Sequence, residues 1–360
     1  MKKAHRVLIA VGSSFFAILL AGFSATYFTF LHRYKGSNVV NEWHDTDVFS
    51  IDDIPVINKP KDRDLVILNL ADVQIADLDG PHHFDVVHKE INYLVKTYKP
   101  DLITLTGDQT MSNENMVFLK SLISWLDSYK IPYAPVFGNH DYGNSYNSAV
   151  AGANYCCDLY ERGEYSLFNR GPTNIDSLGN YAINIKEDDK IISTLYMMDL
   201  SYNETITEGQ RNWFKWIADG IKEANGGEYT RGMCFMHKDF KEFYYAYHNY
   251  LDHPETAEGA VNRYDGFAFI DSGGFVEIAK TCGVYDFVCG HEHDNNFTIK
   301  YEGARYTFAV KSSEAVYYYQ DENLYLNGAT EIRINKDQTT FHHHFVEPNQ
   351  FHFTVKPILN

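Results

Sequence analysis

The run Leu65-Val-Ile-Leu-Asn-Leu-Ala71, closed by Asp72, decides the fold. It is too short for a buried helix and lacks the apolar–polar alternation of a half-exposed strand. It therefore predicts a strand covered on both faces, the kind found in parallel sheets flanked by helices. The chain then repeats this grammar. Val87, Ile91, Leu94 and Val95 share one face of a helix predicted over Phe84–Tyr98, with Pro100 past its end. Leu102-Ile-Thr-Leu-Thr106 is a second strand, broken by Gly107-Asp108, and Phe118–Tyr129 a second helix. Pro135-Val-Phe137 is a third strand, broken at Gly138 before Asn139. A βαβαβ order with right-handed crossovers brings the carboxyl ends of all three strands to one rim, where such sheets bind ligands. Asp72, Asp108 and Asn139 share that rim.

The second half follows less regularly. Ile191–Asp199, Gly232–Met236 and Tyr285–Cys289 read as strands, and Glu208–Ile221 and Phe275–Thr281 as helices. One strand ends at His237; another delivers Gly290-His291-Glu292-His293. Beyond Tyr301, the segments Arg305–Lys311, Val316–Tyr319, Glu331–Ile334 and Phe341–Val346 predict antiparallel strands. The fold class is α/β, a sandwich with mixed sheets.

Composition bounds the function. Lys and Arg number 31 against 48 Asp and Glu, a net charge of −17, and a field of that sign excludes nucleic-acid packaging while leaving room for local cations to capture an anion. With 44% hydrophobic and 22% charged residues the chain is neither disordered nor fibrous. Cys156, Cys157, Cys234, Cys282 and Cys289 are odd in number and irregularly spaced, so they form no disulfide framework; the adjacent pair reads as plain, partly buried thiols.

The amino terminus speaks to location. Residues 1–6 form a basic tip with Lys2, Lys3 and Arg6, and residues 7–31 carry no charge. About 20 apolar residues span a bilayer, and no clean small-x-small cleavage site follows, so this segment is expected to be an uncleaved transmembrane signal anchor rather than a signal peptide. Residues 32–63 read as a linker and 64–360 as the domain, extracytoplasmic and membrane-anchored, or secreted if the segment is cut.

Collected in order, the strand ends carry Asp72, Asp108, Asn139-His140-Asp141, His237, His291 and His293. Singly, each has a plainer reading: a turn for Gly107-Asp108, a helix cap for Asp72, a satisfied imidazole for His237. Together, carboxylate, amide oxygen and imidazole suit Zn, Mn or Fe. Two such ions about 3.5–4 Å apart clamp the attacking and leaving oxygens of a phosphoryl displacement, and a single bridging Asp supplies the shared ligand they need. The glycines before these residues are expected to take positive φ and turn the next side chain toward the metals.

This ordered set resembles the signature of the calcineurin-like metallophosphoesterase superfamily: Asp-x-His, Gly-Asp, Gly-Asn-His-Asp/Glu, a lone His, then Gly-His-x-His. Within it, Lys99–Asp108, Gly179–Tyr181, Phe235–His237 and Gly290–Phe297 are similar to the single-domain purple-acid-phosphatase-like branch. The resemblance covers about residues 64–315. It implies a four-layer α/β/β/α sandwich with two mixed sheets. It also implies hydrolysis of a phosphomonoester or phosphodiester by metal-bound hydroxide on two divalent or mixed-valence ions (Mn, Zn or Fe). By matching position, Asp72 and His293 hold the first metal, Asp108 bridges both, and Asn139, His237 and His291 complete the second. His140 contacts the phosphate or protonates the leaving oxygen, and Asp141 orients it. One position departs: Gln74 stands where the family has His. An amide oxygen ligates hard ions but is poorer than imidazole for Zn or Fe, so the first site is weaker, tuned toward Mn, or filled by a water that Gln74 holds.

A second reading, resting on Gln74, is a catalytically silent metal-binding envelope protein that binds a phosphorylated ligand or partner; the retained His140, which a binder does not need, argues against it. Specificity falls to Tyr142–Gly171 and Tyr250–Asp265. His82-His83 reads as a solvated loop pair, His342-His343-His344 as incidental alternation, and Phe243–Tyr250 as aromatic packing rather than a pocket wall.

Overall fold

A strand apolar throughout needs cover on both faces, and Leu65–Leu70 has it: all six residues are buried. The computed structural model describes residues 34–76, 81–143, 149–200, 205–263, 266–313, 327–347 and 350–351. Its strands are β1 (Val56–Asn58), β2 (Leu65–Leu70), β3 (Leu102–Thr106), β4 (Tyr133–Val136), β5 (Tyr181–Glu187), β6 (Lys190–Met197) and β7 (Arg231–Phe235). They continue with β8 (Asn262–Arg263), β9 (Val284–Cys289), β10 (Asn295–Tyr301), β11 (Ala304–Phe308), β12 (Gly328–Ile334) and β13 (Thr339–Phe345). The helices are α1 (Pro81–Tyr98), α2 (Asn115–Tyr129), α3 (Ala153–Tyr160), α4 (Glu208–Ala224), α5 (Lys241–Asp252) and α6 (Phe275–Thr281).

The described strands form two mixed sheets, as expected. The smaller runs β13-β12-β2-β3-β4, with β2, β3 and β4 parallel and β12 and β13 antiparallel. The larger runs β1-β5-β6-β7-β9-β11-β10-β8. Its period-2 pattern shows how it is buried. Met233, Phe235 and Val288 join the core shared with the smaller sheet, with α1 and α2. Their neighbours Cys234, Met236, Phe287 and Cys289 join a second core under α4, α5 and α6. Each fully buried Leu, Ile or Phe in these layers contributes about 1.5–3 kcal/mol. Helix α4 starts where its sequence says it should. Thr207 Oγ1 accepts from Gln210 N (3.2 Å) while Thr207 N donates to Gln210 Oε1 (3.1 Å), a capping box that satisfies two amides at the helix start.

Several boundaries move. Helix α1 begins at Pro81, whose missing amide hydrogen suits a first helical position, so His82 and His83 lie in its first turn and not in a loop. Of the expected specificity stretch 142–171, residues 153–160 form α3, which buries Cys156, Cys157 and Tyr160. The expected linker is no free tether where it is described. Asn41 Nδ2 donates to Gly171 O (3.0 Å), Trp43 packs edge-on against Trp216, and β1 pairs in parallel with β5. At Tyr34, the first described residue, the carbonyl accepts from Gly152 N (3.2 Å), and Ala151 O accepts from Gly143 N (2.9 Å), two residues past Asp141. The membrane segment at 7–31 and the strand at 316–319 lie outside the described residues; among the described residues no helix is long and apolar enough to cross a membrane.

Candidate metal centre

The parallel strands β2, β3 and β4 end at one rim, and there the backbone is bent hard. Asp72, Gln74, Asp108 and His291 all have positive φ, between 45° and 73°. That region costs a non-glycine residue energy and persists where function and surroundings require it. Gly107 takes positive φ (87°) as expected. Gly138 and Gly290 do not. Their use is close approach: a Cβ at Gly138 would strike the Asp108 carboxylate, and one at Gly290 the Asp72 carboxylate.

Two groups of potential ligand atoms converge, each within 4.8 Å: Asp108, His237 and His291 in one, Asp72, Asp108 and His293 in the other. Asp108 belongs to both. Gln74 Nε2 lies 3.0 Å from His293 Nε2, and Asn139 Oδ1 lies 3.0 Å from His237 Nε2. All seven residues expected as ligands thus come together. His140 is part-exposed beside them and its amide donates to Asp108 Oδ1 (2.8 Å). Asp141 is placed differently from expectation. Its carboxylate accepts from Gly138 N (2.7 Å) and Thr110 N (3.0 Å), so it staples the turns that carry Asn139 and Asp108 to each other.

The electrostatics show which charge the cluster favours. Burial alone would lower the His237 imidazole, yet the charge and hydrogen bond of Asp108 and the charge of Asp72 raise it to about 9. Burial would raise Asp108, yet His237, and the charge and amide of His140, hold it well below the usual carboxylate range. His291, desolvated and facing a charged His237, is held well below its ordinary value. A cluster that traps a proton on His237 is anionic and calls for a cation, and a metal binding there displaces that proton. His237 Nδ1 sits 2.9 Å from Thr106 O, so Nδ1–H donates to that carbonyl and Nε2 is the atom left for a ligand bond. His291 Nδ1 stands 3.2 Å from His237 Nε2, two imidazole nitrogens aimed at one point. Carboxylate, amide and imidazole donors are the set that suits borderline cations, and Asp108 belongs to both groups.

The larger frame holds this arrangement. Ser312 N donates to Ala71 O (2.7 Å) and Ser313 Oγ to Val73 O (2.6 Å), pinning the turn that carries Asp72. Asn115 Nδ2 donates to Asp141 O (2.8 Å). Sequence patterns do not signal these residues, nor Thr106, because their roles depend on partners far along the chain. The five cysteines are buried free thiols, in keeping with the plain reading. His343 is bonded at Nε2 by Thr298 Oγ1 (3.2 Å) and at Nδ1 by Thr330 Oγ1 (3.1 Å), and His344 stacks on Tyr98; among the described residues the metal-holding groups are the two at the rim.

A family model described as calcineurin-like phosphoesterase matches residues 65–295. No curated protein matches the chain significantly. Among solved structures it is similar to a dimetal phosphatase from Danio rerio at 12% identity and TM-score 0.45, over 78% of this chain and 96% of that one. It is also similar to GAP50, the anchor in the inner membrane complex of Plasmodium, at 12% identity and TM-score 0.47, over 81% and 86%. A purple acid phosphatase from yellow lupin (Lupinus luteus) matches at 9% identity and TM-score 0.43, over 75% of this chain and 49% of that one.

Proposed function

The chain belongs to the calcineurin-like phosphoesterase family, and from that premise we propose that it hydrolyses a phosphomonoester or phosphodiester at a dinuclear metal centre. The observation that carries this reading is the convergence of two ligand triads on the shared Asp108. Two cations held there would supply Lewis-acid polarisation of the phosphoryl group and a water nucleophile at neutral pH. Asp72, Gln74 and His293 would hold one cation; Asn139, His237 and His291 the other. Nε2 of His237 gives up its proton as the site is loaded, while Thr106 keeps the ring oriented. His140 would contact the phosphate or deliver a proton to the departing oxygen, its backbone tied to Asp108. Asp141 acts through the loops, as a positioning residue. Residues 7–31, apolar and uncharged, would anchor the domain on the outer side of a membrane.

The test is hydrolysis of p-nitrophenyl phosphate and its bis-ester by the full chain with Mn, Zn or Fe supplied. Asn139→Ala and His140→Ala are each expected to lose about 10²–10⁴-fold. Activity unchanged by both substitutions refutes the site. No activity with any metal favours the silent phosphate-binding reading, for which the departure at Gln74 speaks. Membrane fractionation with and without residues 1–33 tests the anchor.

A further inference from the structure

We propose that Phe269 is the platform of a stacking subsite beside the metal centre, selecting phosphoesters that carry a flat aromatic group; this rests on the phosphoesterase reading above. The segment 266–270 is strapped across the two imidazole-bearing arms of the site. Ala268 N donates to Asp239 Oδ1 (2.9 Å) and Ile270 N to Asp239 O (3.1 Å), and Asp239 lies two residues past His237. Asn295, two residues past His293, donates from Nδ2 to Gly266 O (2.8 Å). These bonds tie the segment to both arms, and its two phenylalanines, edge-on with ring centroids 5.9 Å apart, differ in exposure. Phe267 turns inward and is 8% exposed, whereas Phe269 stands out at 47%.

Phe269 also has φ 56°, a conformation that a bulky side chain adopts only where its surroundings impose it. One residue thus forgoes burial and takes a strained backbone. Scattered exposed apolar residues are ordinary, but this combination on a segment bonded to both imidazole-bearing arms is not. The ring is braced from behind. Its centroid lies 4.9 Å from that of Tyr244, which is itself held edge-on by Phe267 (5.5 Å) and covered by His248 (4.1 Å). A braced ring with an open face stacks on a second π-system without paying side-chain entropy, and stacking tolerates any flat group. Aryl and nucleobase esters share that chemistry.

Binding of phenylphosphonate and methylphosphonate to the metal-loaded full chain reads the subsite without turnover, because neither P–C bond is hydrolysed. Phenylphosphonate is expected to bind at least about fivefold more tightly. Phe269→Gly, which removes the ring and relieves the positive φ together, should abolish that preference, and Phe269→Tyr should keep it. In hydrolysis, Phe269→Gly should raise KM for p-nitrophenyl phosphate and adenosine 5′-monophosphate at least about fivefold while leaving glycerol 3-phosphate within about twofold. A rise for only one of the aromatic pair identifies the source of the flat group. Equal binding of the two phosphonates, or a preference that survives Phe269→Gly, overturns the subsite even if hydrolysis is robust. Absence of both hydrolysis and phosphonate binding overturns the phosphoesterase reading and this one with it.

Discussion

The two sheets bring different chemistry to the rim. The smaller supplies oxygen: Asp72, Gln74, Asp108 and Asn139 follow β2, β3 and β4. The larger supplies nitrogen: His237 follows β7, and His291 and His293 follow β9. Each of the two converging groups draws on both sheets, so they form only because the interlayer core holds the sheets in register. Bonds such as His237 Nδ1 to Thr106 O cross from one sheet to the other at the place where ligands meet. On the proposed reading, packing between layers is itself a determinant of metal binding.

The most severe way to break this division is at its shared oxygen. Asp108→Asn is expected to lower kcat at least about 10³-fold and to drop the metal content from two ions per chain, read by elemental analysis beside steady-state kinetics. Full retention of both would remove Asp108 as the bridge. Gly138→Ala comes next, since the new methyl group must displace Asp108, carboxylate and backbone amide alike. A shift of that kind predicts a loss of about 10²-fold in kcat with the fold intact by circular dichroism. Unchanged kinetics would show that the carboxylate has room to move.

Gln74→His sharpens the contrast by placing a nitrogen on the oxygen side. Zn should then bind the first site about tenfold more tightly than in the parent, measured by competition with a chelator, while Mn gains little. No gain for either metal would mean that residue 74 does not face the ion.

The smallest effect lies away from the centre, where His343 of β13 joins Thr298 of the larger sheet and Thr330 of the smaller. Burial, then the charges of His344 and His342, lowers its imidazole to about 4, against about 6.5 in the unfolded chain. The folded protein therefore binds fewer protons than the unfolded one between those values, and stability falls as pH drops from about 6.5 toward 4. The loss should be on the order of 2 kcal/mol after screening, and His343→Gln should flatten it in urea titrations at pH 7 and pH 4.5. An identical pH slope in parent and variant would exclude His343 as a sheet-to-sheet pin that titrates.

How much of this could be read in advance divides along the same lines. β2, α1, β3, α2 and the β7 and β9 strands were legible because their apolar runs end in glycine or a polar turn, and the candidate ligands follow within four residues. Helix α3 was not, since its small and sulfur-bearing residues look like a loop until α2 covers them. β10 begins with Asn295 and Asn296, polar residues that are buried only because neighbouring segments bond to them. Asp141 sits in a legible motif, but the direction of its carboxylate depends on amides at Gly138 and Thr110. Phe269 lies outside any motif, and its exposure is a property of the folded rim.

The first described residues do not hang free of the fold. Tyr34 is stitched to Gly152, in the stretch of backbone that leads away from the Gly138–Asp141 turn. Ser37 is held there too, its amide and hydroxyl both donating to Asp158 Oδ2 (2.8 Å each), so the first described residues are clamped to α3 and a pull on Tyr34 would be felt by that helix before it reached either sheet.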